Sequence, residues 1–148
     1  GQIVVDNDLT VDDTKYEEME AYQLRPGDVV LGRRGEMGRC AVVCDPGMLC
    51  GTGSLIIRPS NKMHPYFLQK IISYPTFKKA IEDMAVGVTM MNLNVPIVSS
   101  FMVPELPLDQ QENYLAFVNQ IDKQKLTIQQ SLDKLELMKK ALMQKYFG

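Results

Sequence analysis

The chain has 148 residues, of which 45% are hydrophobic and 23% charged, a balance typical of one ordinary globular domain. No run approaches the roughly 18 apolar residues of a membrane span, and the start Gly1-Gln2-Ile3 lacks the regions of a signal peptide, so we expect a cytoplasmic protein with no membrane partner. Three cysteines, an odd number, exclude a paired disulfide framework and suit a reducing compartment.

The net charge of −2 conceals an uneven distribution along the chain. Residues 1–32 hold two basic and eight acidic residues, whereas residues 33–79 hold eight basic and two acidic ones, a local net charge of +6. One interpretation is a basic face that meets phosphate, and the other is a scatter of charges over a solvated surface. The eight basic residues are Arg33, Arg34, Arg39, Arg58, Lys62, Lys70, Lys78 and Lys79.

In chain order, the first predicted element is a short strand from Ile3 to Val5, which an acidic loop through Asp12 and Asp13 follows. Carboxylates in this loop could bind a divalent cation. The loop lacks the oxygen-ligand periodicity of a calcium site, however, so a solvated loop without metal is favoured.

Turn residues divide the next segment into three apolar runs, at Val29 to Leu31, Cys40 to Cys44 and Ser54 to Arg58. These runs predict consecutive β-strands, and the first two form a hairpin-like unit. Cys40 and Cys44 are four apart on one predicted strand, so both side chains should face the same way, as core thiols rather than zinc ligands.

Helical spacing begins after the strands, at Pro65 to Ser73 and again at Thr76 to Met84. Three prolines between Asn92 and Pro107 rule out a continuous helix there, and Pro107 is the predicted boundary before a final helix. The sequence therefore predicts an α+β fold, with a mixed, β-rich domain over residues 1–107 and a long coiled-coil-type helix over residues 108–148.

The final helix carries a heptad repeat from Val118 onward, with two interruptions at Lys125 and Lys139. From residue 111 to 146 it would extend about 54 Å at 1.5 Å per residue, more than the preceding domain can cover. A surface for a partner helix is therefore favoured over packing on its own domain. The predicted interface consists of Val118, Ile121, Ile128, Leu132, Leu135 and Leu142, with Tyr146 continuing the pattern.

Catalytic patterns are weak. His64 is the only histidine, so a Ser/His/Asp or Cys/His arrangement would have to use it, yet no nucleophile pattern lies near it. The loop from Gly32 to Gly38 lacks the Gly-Lys-Ser/Thr ending of a P-loop. Its glycines allow close approach of a ligand and its arginines can bind phosphate or guanine, which suits DNA, although exposed arginines on structural turns are the alternative.

The order of several short motifs resembles the target recognition domains of type I restriction-modification specificity subunits. The central block consists of Pro26-Gly27-Asp28-Val29-Val30-Leu31, Arg34-Gly35-Glu36-Met37-Gly38-Arg39 and Ala41-Val42-Val43. Thr52-Gly53, Tyr66-Phe67-Leu68, Gly87-Val88-Thr89, Pro104-Glu105-Leu106-Pro107-Leu108 and Gln110-Gln111 follow in the family order. The resemblance covers roughly residues 26 to 146.

The resemblance implies a non-catalytic subunit without cofactors. Its recognition domain would read one half of a split site in double-stranded DNA, and its helix would act as a spacer that docks the methyltransferase subunit, with the restriction subunit joining through the complex. It also implies that a full subunit has two recognition domains and two spacers, so this chain resembles a C-terminal fragment or a half-subunit. The helix would then pair with a twin or with another helix of the same subunit.

Carried over residue by residue, the resemblance places DNA contacts in the glycine loop and in the segment from Thr89 to Asn94, and the basic middle adds two lysines. The predicted DNA-binding residues are Arg33, Arg34, Gly35, Arg39, Lys78, Lys79, Thr89, Asn92 and Asn94. The rival functions are a homodimeric protein-interaction module with no DNA role and a small hydrolase or transferase that uses His64.

Overall fold

The computed structural model describes residues 1–6, 8–34, 38–85 and 93–148. Its elements confirm the predicted α+β class with a long C-terminal helix. In chain order they are α1 (Asp13–Glu18), a single 3-10 turn (Glu20–Tyr22), β1 (Val29–Gly32), β2 (Cys40–Val42), β3 (Ser54–Ile57), α2 (Pro65–Ser73), α3 (Pro75–Ala85), α4 (Val95–Ser99) and α5 (Leu108–Phe147).

Among the described residues, three strands form an antiparallel sheet in the order β2-β1-β3. Val29 lies opposite Val42 on one side and Ile57 on the other, so β1 is the central strand. The hairpin-like pairing predicted for the first two strands is confirmed. The side chains of β1 alternate between buried and half-buried positions, as expected for a strand with a different environment on each face.

The main hydrophobic core lies on the face of β1 that carries Val29 and Leu31. Helices α2 and α3 cover that face with Leu68, Ile72 and Ile81, all buried. A smaller cluster of Leu24, Val43 and Cys50 includes Val30, which points to the opposite face. Because the central strand is covered on both faces, its two ends are fixed, and the glycine loop begins at one of them.

The helix boundaries follow from capping residues and prolines. His64 caps α2, whose first residue is Pro65, and its Nδ1 accepts a hydrogen bond from the backbone N–H of Tyr66 at 3.3 Å. Asn94 caps α4 in the same way, with its Oδ1 accepting from the N–H of Ile97 at 3.0 Å. Helix α5 begins immediately after Pro107, at the predicted boundary.

Two predictions for the N-terminal segment were wrong. Residues 3–5 form no strand, because Val4 and Val5 are exposed and do not pair with the sheet. The predicted acidic loop contains α1, because the carboxylate of Asp12 accepts from the N–H of Lys15 at 2.7 Å and caps the helix.

The prediction that Cys40 and Cys44 share a strand face was also wrong. Strand β2 ends at Val42, so Cys40 is buried whereas Cys44 lies beyond the strand and is exposed. The turn at Asp45-Pro46-Gly47, where Gly47 has a φ of 89°, follows directly and leaves no room for a longer strand.

The chain divides into two compact units, residues Gly1–Gln111 and Glu112–Gly148. The first contains the sheet, α1 to α4 and the first turn of α5, and the second contains the remainder of α5. In the described part of the chain, no helix is both long enough and apolar enough to cross a bilayer.

Candidate nucleic-acid interface

The glycine loop leaves the sheet at the end of β1. Its base is closed by a hydrogen bond from the N–H of Gly32 to the carbonyl of Arg39, at 2.8 Å. Arg34 and Arg39 lie at its two ends, and both side chains are exposed. The base of the loop is therefore closed, and an exposed arginine lies at each of its ends, where a phosphate or a base edge could reach it.

Arg33 connects this loop to the segment that precedes α4. Its backbone N–H donates to the carbonyl of Gly53 at 3.0 Å, and its carbonyl accepts from the N–H of Leu93 at 3.1 Å. Its Nε also donates to the carbonyl of Leu93 at 3.1 Å. These three hydrogen bonds link Arg33, which directly follows β1, to the turn before β3 and to fully buried Leu93. At least one N–H group of this guanidinium therefore donates within the protein. A residue that serves only to contact DNA would direct these groups toward phosphate or bases.

Lys78 lies against the glycine loop. A Cβ placed on Gly38 would stand 3.0 Å from Cγ of Lys78, so the lysine stem of α3 packs directly on this glycine. Gly38 has a φ of 74°, a conformation that favours glycine. The loop and α3 therefore bring Lys78 beside Gly38, although the two residues are 40 positions apart in the sequence.

The remaining predicted DNA-binding residues do not all join this group. Lys79 follows Lys78 on α3 and is exposed. Asn94 is exposed as well, but its Oδ1 caps α4. Gly35, Thr89 and Asn92 lie outside the described residues.

Among the described basic residues of the middle segment, Arg58 and Lys62 form ion pairs. Nε of Arg58 lies 3.2 Å from a carboxylate oxygen of Asp28, which is buried, and its terminal nitrogen donates to the carbonyl of Gln23 at 2.8 Å. Nζ of Lys62 lies 3.2 Å from Glu105, and both side chains are exposed. The local charge of +6 therefore overstates the positive surface, because at least the charges of Arg58 and Lys62 are paired.

The residues considered for catalysis have structural contacts. His64 caps α2, and its ring lies 5.9 Å from that of Tyr66.

Burial raises the pKa of the Cys40 thiol, an effect that a hydrogen bond with Ser73 partly offsets, and burial also raises the pKa of the Cys50 thiol. Thiols with raised pKa values are poor nucleophiles. Cys44 lies 3.3 Å from the hydroxyl of Tyr66, and this hydrogen bond raises the pKa of Tyr66. The described residues contain no cluster of three metal-ligating side chains.

Gln111 is an important residue whose role the sequence reasoning missed. Its side chain is fully buried in the first unit, in the first turn of α5. The amide nitrogen donates to the carbonyls of Lys62 at 2.8 Å and Leu106 at 2.6 Å, and the amide oxygen accepts from the N–H of His64 at 2.8 Å. The only sequence signal was its place in the Gln110-Gln111 motif, because a lone polar residue in an amphipathic helix gives no sign of burial.

Most residues of the predicted interface on the final helix are exposed to solvent. Val118 and Ile121 are half-buried, whereas Ile128, Leu132, Leu135 and Leu142 are 50–61% exposed. Every residue from Asp122 to Gly148 is exposed. In the described part of the chain, the apolar side chains of this helix beyond residue 121 are therefore exposed rather than packed in a core.

A small antiparallel sheet covered by helices, a basic glycine loop and a long terminal helix together form the architecture that the resemblance to type I specificity subunits implies. The comparisons with known proteins confirm that resemblance. The sequence is 26% identical over 144 residues to the putative type I restriction enzyme MjaX specificity subunit of Methanocaldococcus jannaschii, covering 93% of this chain and 34% of that protein.

The fold is also similar to a chain in a solved structure that describes complex assembly and conformational transition of the type I R-M system. The TM-score is 0.63 at 22% sequence identity, and the match covers 84% of this chain and 30% of that one. No family model matches the sequence. The chain thus spans about a third of the length of the proteins that it matches.

Proposed function

We propose that this chain is a non-catalytic DNA-recognition component of a type I restriction-modification complex. It reads one half of a bipartite site in double-stranded DNA and docks methyltransferase subunits through its helix, while the restriction subunit joins through the complex. The similarity to a specificity subunit supports the class of protein. The observation that carries the DNA role is the group formed by Arg34, Arg39 and Lys78 around the glycine loop.

The chemistry of this group suits DNA for two reasons. Arginine can donate two parallel hydrogen bonds to a phosphate or to the O6 and N7 atoms of guanine, and lysine can neutralise a neighbouring phosphate. The group is also built on the end of a central strand, so its arginines are presented on a rigid support. We infer that Arg33 holds the loop in place through its hydrogen bonds to Leu93, and its direct contact with DNA stays a prediction.

The test replaces Arg34 and Arg39 together with glutamine in the assembled complex. If each contacts one phosphate, the slope of log K against log salt concentration should become less steep by about 2, because each lost contact removes roughly 0.9 of a released counterion. Arg25→Gln is the control for each single replacement, since Arg25 is exposed, precedes β1 in the chain and loses one positive charge, as Arg34→Gln and Arg39→Gln each do. Unchanged affinity and slope in the double variant would remove the proposed site.

Arg33→Gln separates positioning from contact. If Arg33 only holds the loop, its replacement should weaken binding while the salt slope stays within the error of the wild-type value. A slope that falls by about one unit would instead make Arg33 a direct phosphate contact.

A second candidate function is a protein-interaction module with no DNA role. The exposed apolar stripe from Ile128 to Leu142 favours it. This candidate predicts that the chain associates with itself or another helix while it fails to shift any DNA, whatever the sequence or salt concentration. A salt-dependent shift of DNA that Arg34 and Arg39 control would exclude it.

A further inference from the structure

The first turn of α5 is fastened within the first unit by one buried side chain. Gln111 is fully buried, although the residues of the same helix from Asp122 onward are all exposed. Its amide nitrogen donates to the carbonyls of Lys62 and Leu106, and its amide oxygen accepts from the N–H of His64. We call Gln111 and these three partners the helix-start clamp.

The chemistry of the clamp requires a glutamine amide. Both N–H groups of Gln111 face carbonyl oxygens and its oxygen faces an N–H group, so a flipped amide would set acceptors against acceptors and a donor against a donor. Glutamate has the same length but lacks the two donors, and methionine has a similar length without an amide. Because the buried backbone groups need partners, loss of the amide opens the clamp.

Two further contacts join the same segments. Nζ of Lys62 lies 3.2 Å from Glu105, which directly precedes Leu106. The next residue, Pro107, accepts a hydrogen bond from the backbone N–H of Gln111 at 3.1 Å. The ion pair is exposed and contributes little, so the buried amide is the main fastening.

The clamp also reaches the helix that covers the sheet. His64 donates its backbone N–H to Gln111, and its ring caps α2, so one residue serves the starts of two helices. Helix α2 contributes buried Leu68 and Ile72 to the main core. The start of α5 is therefore tied to an element of the packed core, rather than to a surface loop alone.

We propose that Gln111 is a positioning residue, which fixes the place on the first unit where α5 begins and thereby sets how many base pairs may separate the two half-sites. This inference rests on the proposed function, because only a reader of a bipartite site has a spacing to set. One added base pair moves a half-site by about 3.4 Å and turns it by about 35° around the DNA axis. A fixed helix start opposes such a shift, whereas a loosened start accommodates it.

The first test compares methylated sites in cells that carry the full system. Mapping the methylated bases gives both the recognised motif and its spacer length. The wild-type chain should favour one spacer length over lengths one base pair longer or shorter by about tenfold or more. Gln111→Met should lower this ratio to about threefold or less, because it keeps the size of the side chain and removes the amide.

Two controls separate positioning from stability. Leu31→Ala leaves a cavity in the core, so it should reduce methylation at every spacing and leave the ratio unchanged. Gln110→Met makes the same substitution at the exposed preceding residue and should change neither the ratio nor the level of methylation. If Gln111→Met does not accumulate in cells, Gln111→Asn takes its place, because its amide is one carbon too short to hold all three partners.

A second measurement tests the clamp without DNA. The backbone amides of residues 62–68 and of the first turns of α5 should exchange with deuterium about tenfold faster in Gln111→Met than in the wild type. In Leu31→Ala the same amides should keep the wild-type rate, because their exchange follows local opening of the clamp rather than unfolding of the core.

Three results would overturn the proposal. Wild-type exchange rates in Gln111→Met would show that the amide does not hold the helix start. Faster exchange with an unchanged spacing ratio would leave the clamp a purely structural role, and a lowered ratio in Leu31→Ala would make the ratio a consequence of stability.

Failure of the proposed function has a different signature. A wild-type complex that methylates no split site would contradict that function and the spacing role together, while the exchange rates would still report whether Gln111 holds the clamp. The two failures are therefore distinguishable.

Discussion

The two units of the chain differ in how far their apolar side chains are exposed. In the first unit, Leu31 on the central strand and Ile81 on α3 are each 1% exposed. In the second unit, Leu135 and Leu137 are 61% and 69% exposed. The first unit therefore gains its stability from burial within this chain, whereas the helix gains little from burial and depends on backbone hydrogen bonds and on whatever covers its stripe.

The largest expected effect tests this contrast with one substitution made in each unit. Leu31→Ala should lower the free energy of unfolding by about 3 kcal/mol, because it removes a buried side chain from the core and leaves a cavity. Leu135→Ala should change it by less than about 0.5 kcal/mol in dilute solution, since alanine is a good helix former and Leu135 is exposed.

The measurement is urea denaturation followed by tyrosine fluorescence, because the chain has six tyrosines and no tryptophan. It must be made at a concentration where the chain does not self-associate. If Leu135→Ala proved as destabilising as Leu31→Ala under those conditions, the exposed stripe would be covered within a single chain, and the contrast between the units would fail.

Gln111 sharpens the contrast, because it is a polar side chain buried as deeply as the core leucines. Gln111→Ala should lower the free energy of unfolding by about 2 kcal/mol, since it leaves the carbonyls of Lys62 and Leu106 and the N–H of His64 without this partner. Gln110→Ala is the matched control. Gln110 is exposed one residue earlier on the same helix, and its replacement should cost less than about 0.5 kcal/mol.

Gln111 also shows why part of the site could not be predicted. Periodicity identified the strands at Val29 and Ser54 and the helix from Pro65, because burial of a strand or helix face imposes a spacing on nearby residues. It could not identify contacts set by the tertiary fold, such as Gln111 with the loop at Lys62 or Lys78 with Gly38. Neither contact leaves a local trace in the sequence.

The N-terminal errors have a related cause. Ile3 to Val5 has the composition of a strand, but a strand requires a partner, and local composition does not supply one. The charge count has the same limit. It includes Arg58 among the eight basic residues of the middle segment, although only the fold places its guanidinium beside buried Asp28. The sequence shows which residues are apolar or charged, whereas the partner of each residue depends on the fold.

The smallest expected effect concerns the glycine loop and separates backbone strain from loss of the basic group. Gly38→Ala and Gly47→Ala both force alanine into a positive φ, at 74° and 89°, and each should lower the free energy of unfolding by about 1 kcal/mol. Only the alanine at position 38 meets a neighbour, because its Cβ would lie 3.0 Å from Cγ of Lys78, whereas nothing lies within 4 Å of the Cβ at position 47.

If Lys78 belongs to the DNA-binding group, displacing it should weaken DNA binding in the Gly38→Ala variant by about threefold to tenfold, while Gly47→Ala binds as the wild type does. Equal loss of stability in the two variants with unequal loss of affinity would show that the position of Lys78, rather than loop strain, matters for binding. Equal affinity in both variants would remove Lys78 from the group and leave Arg34 and Arg39 as its cationic residues.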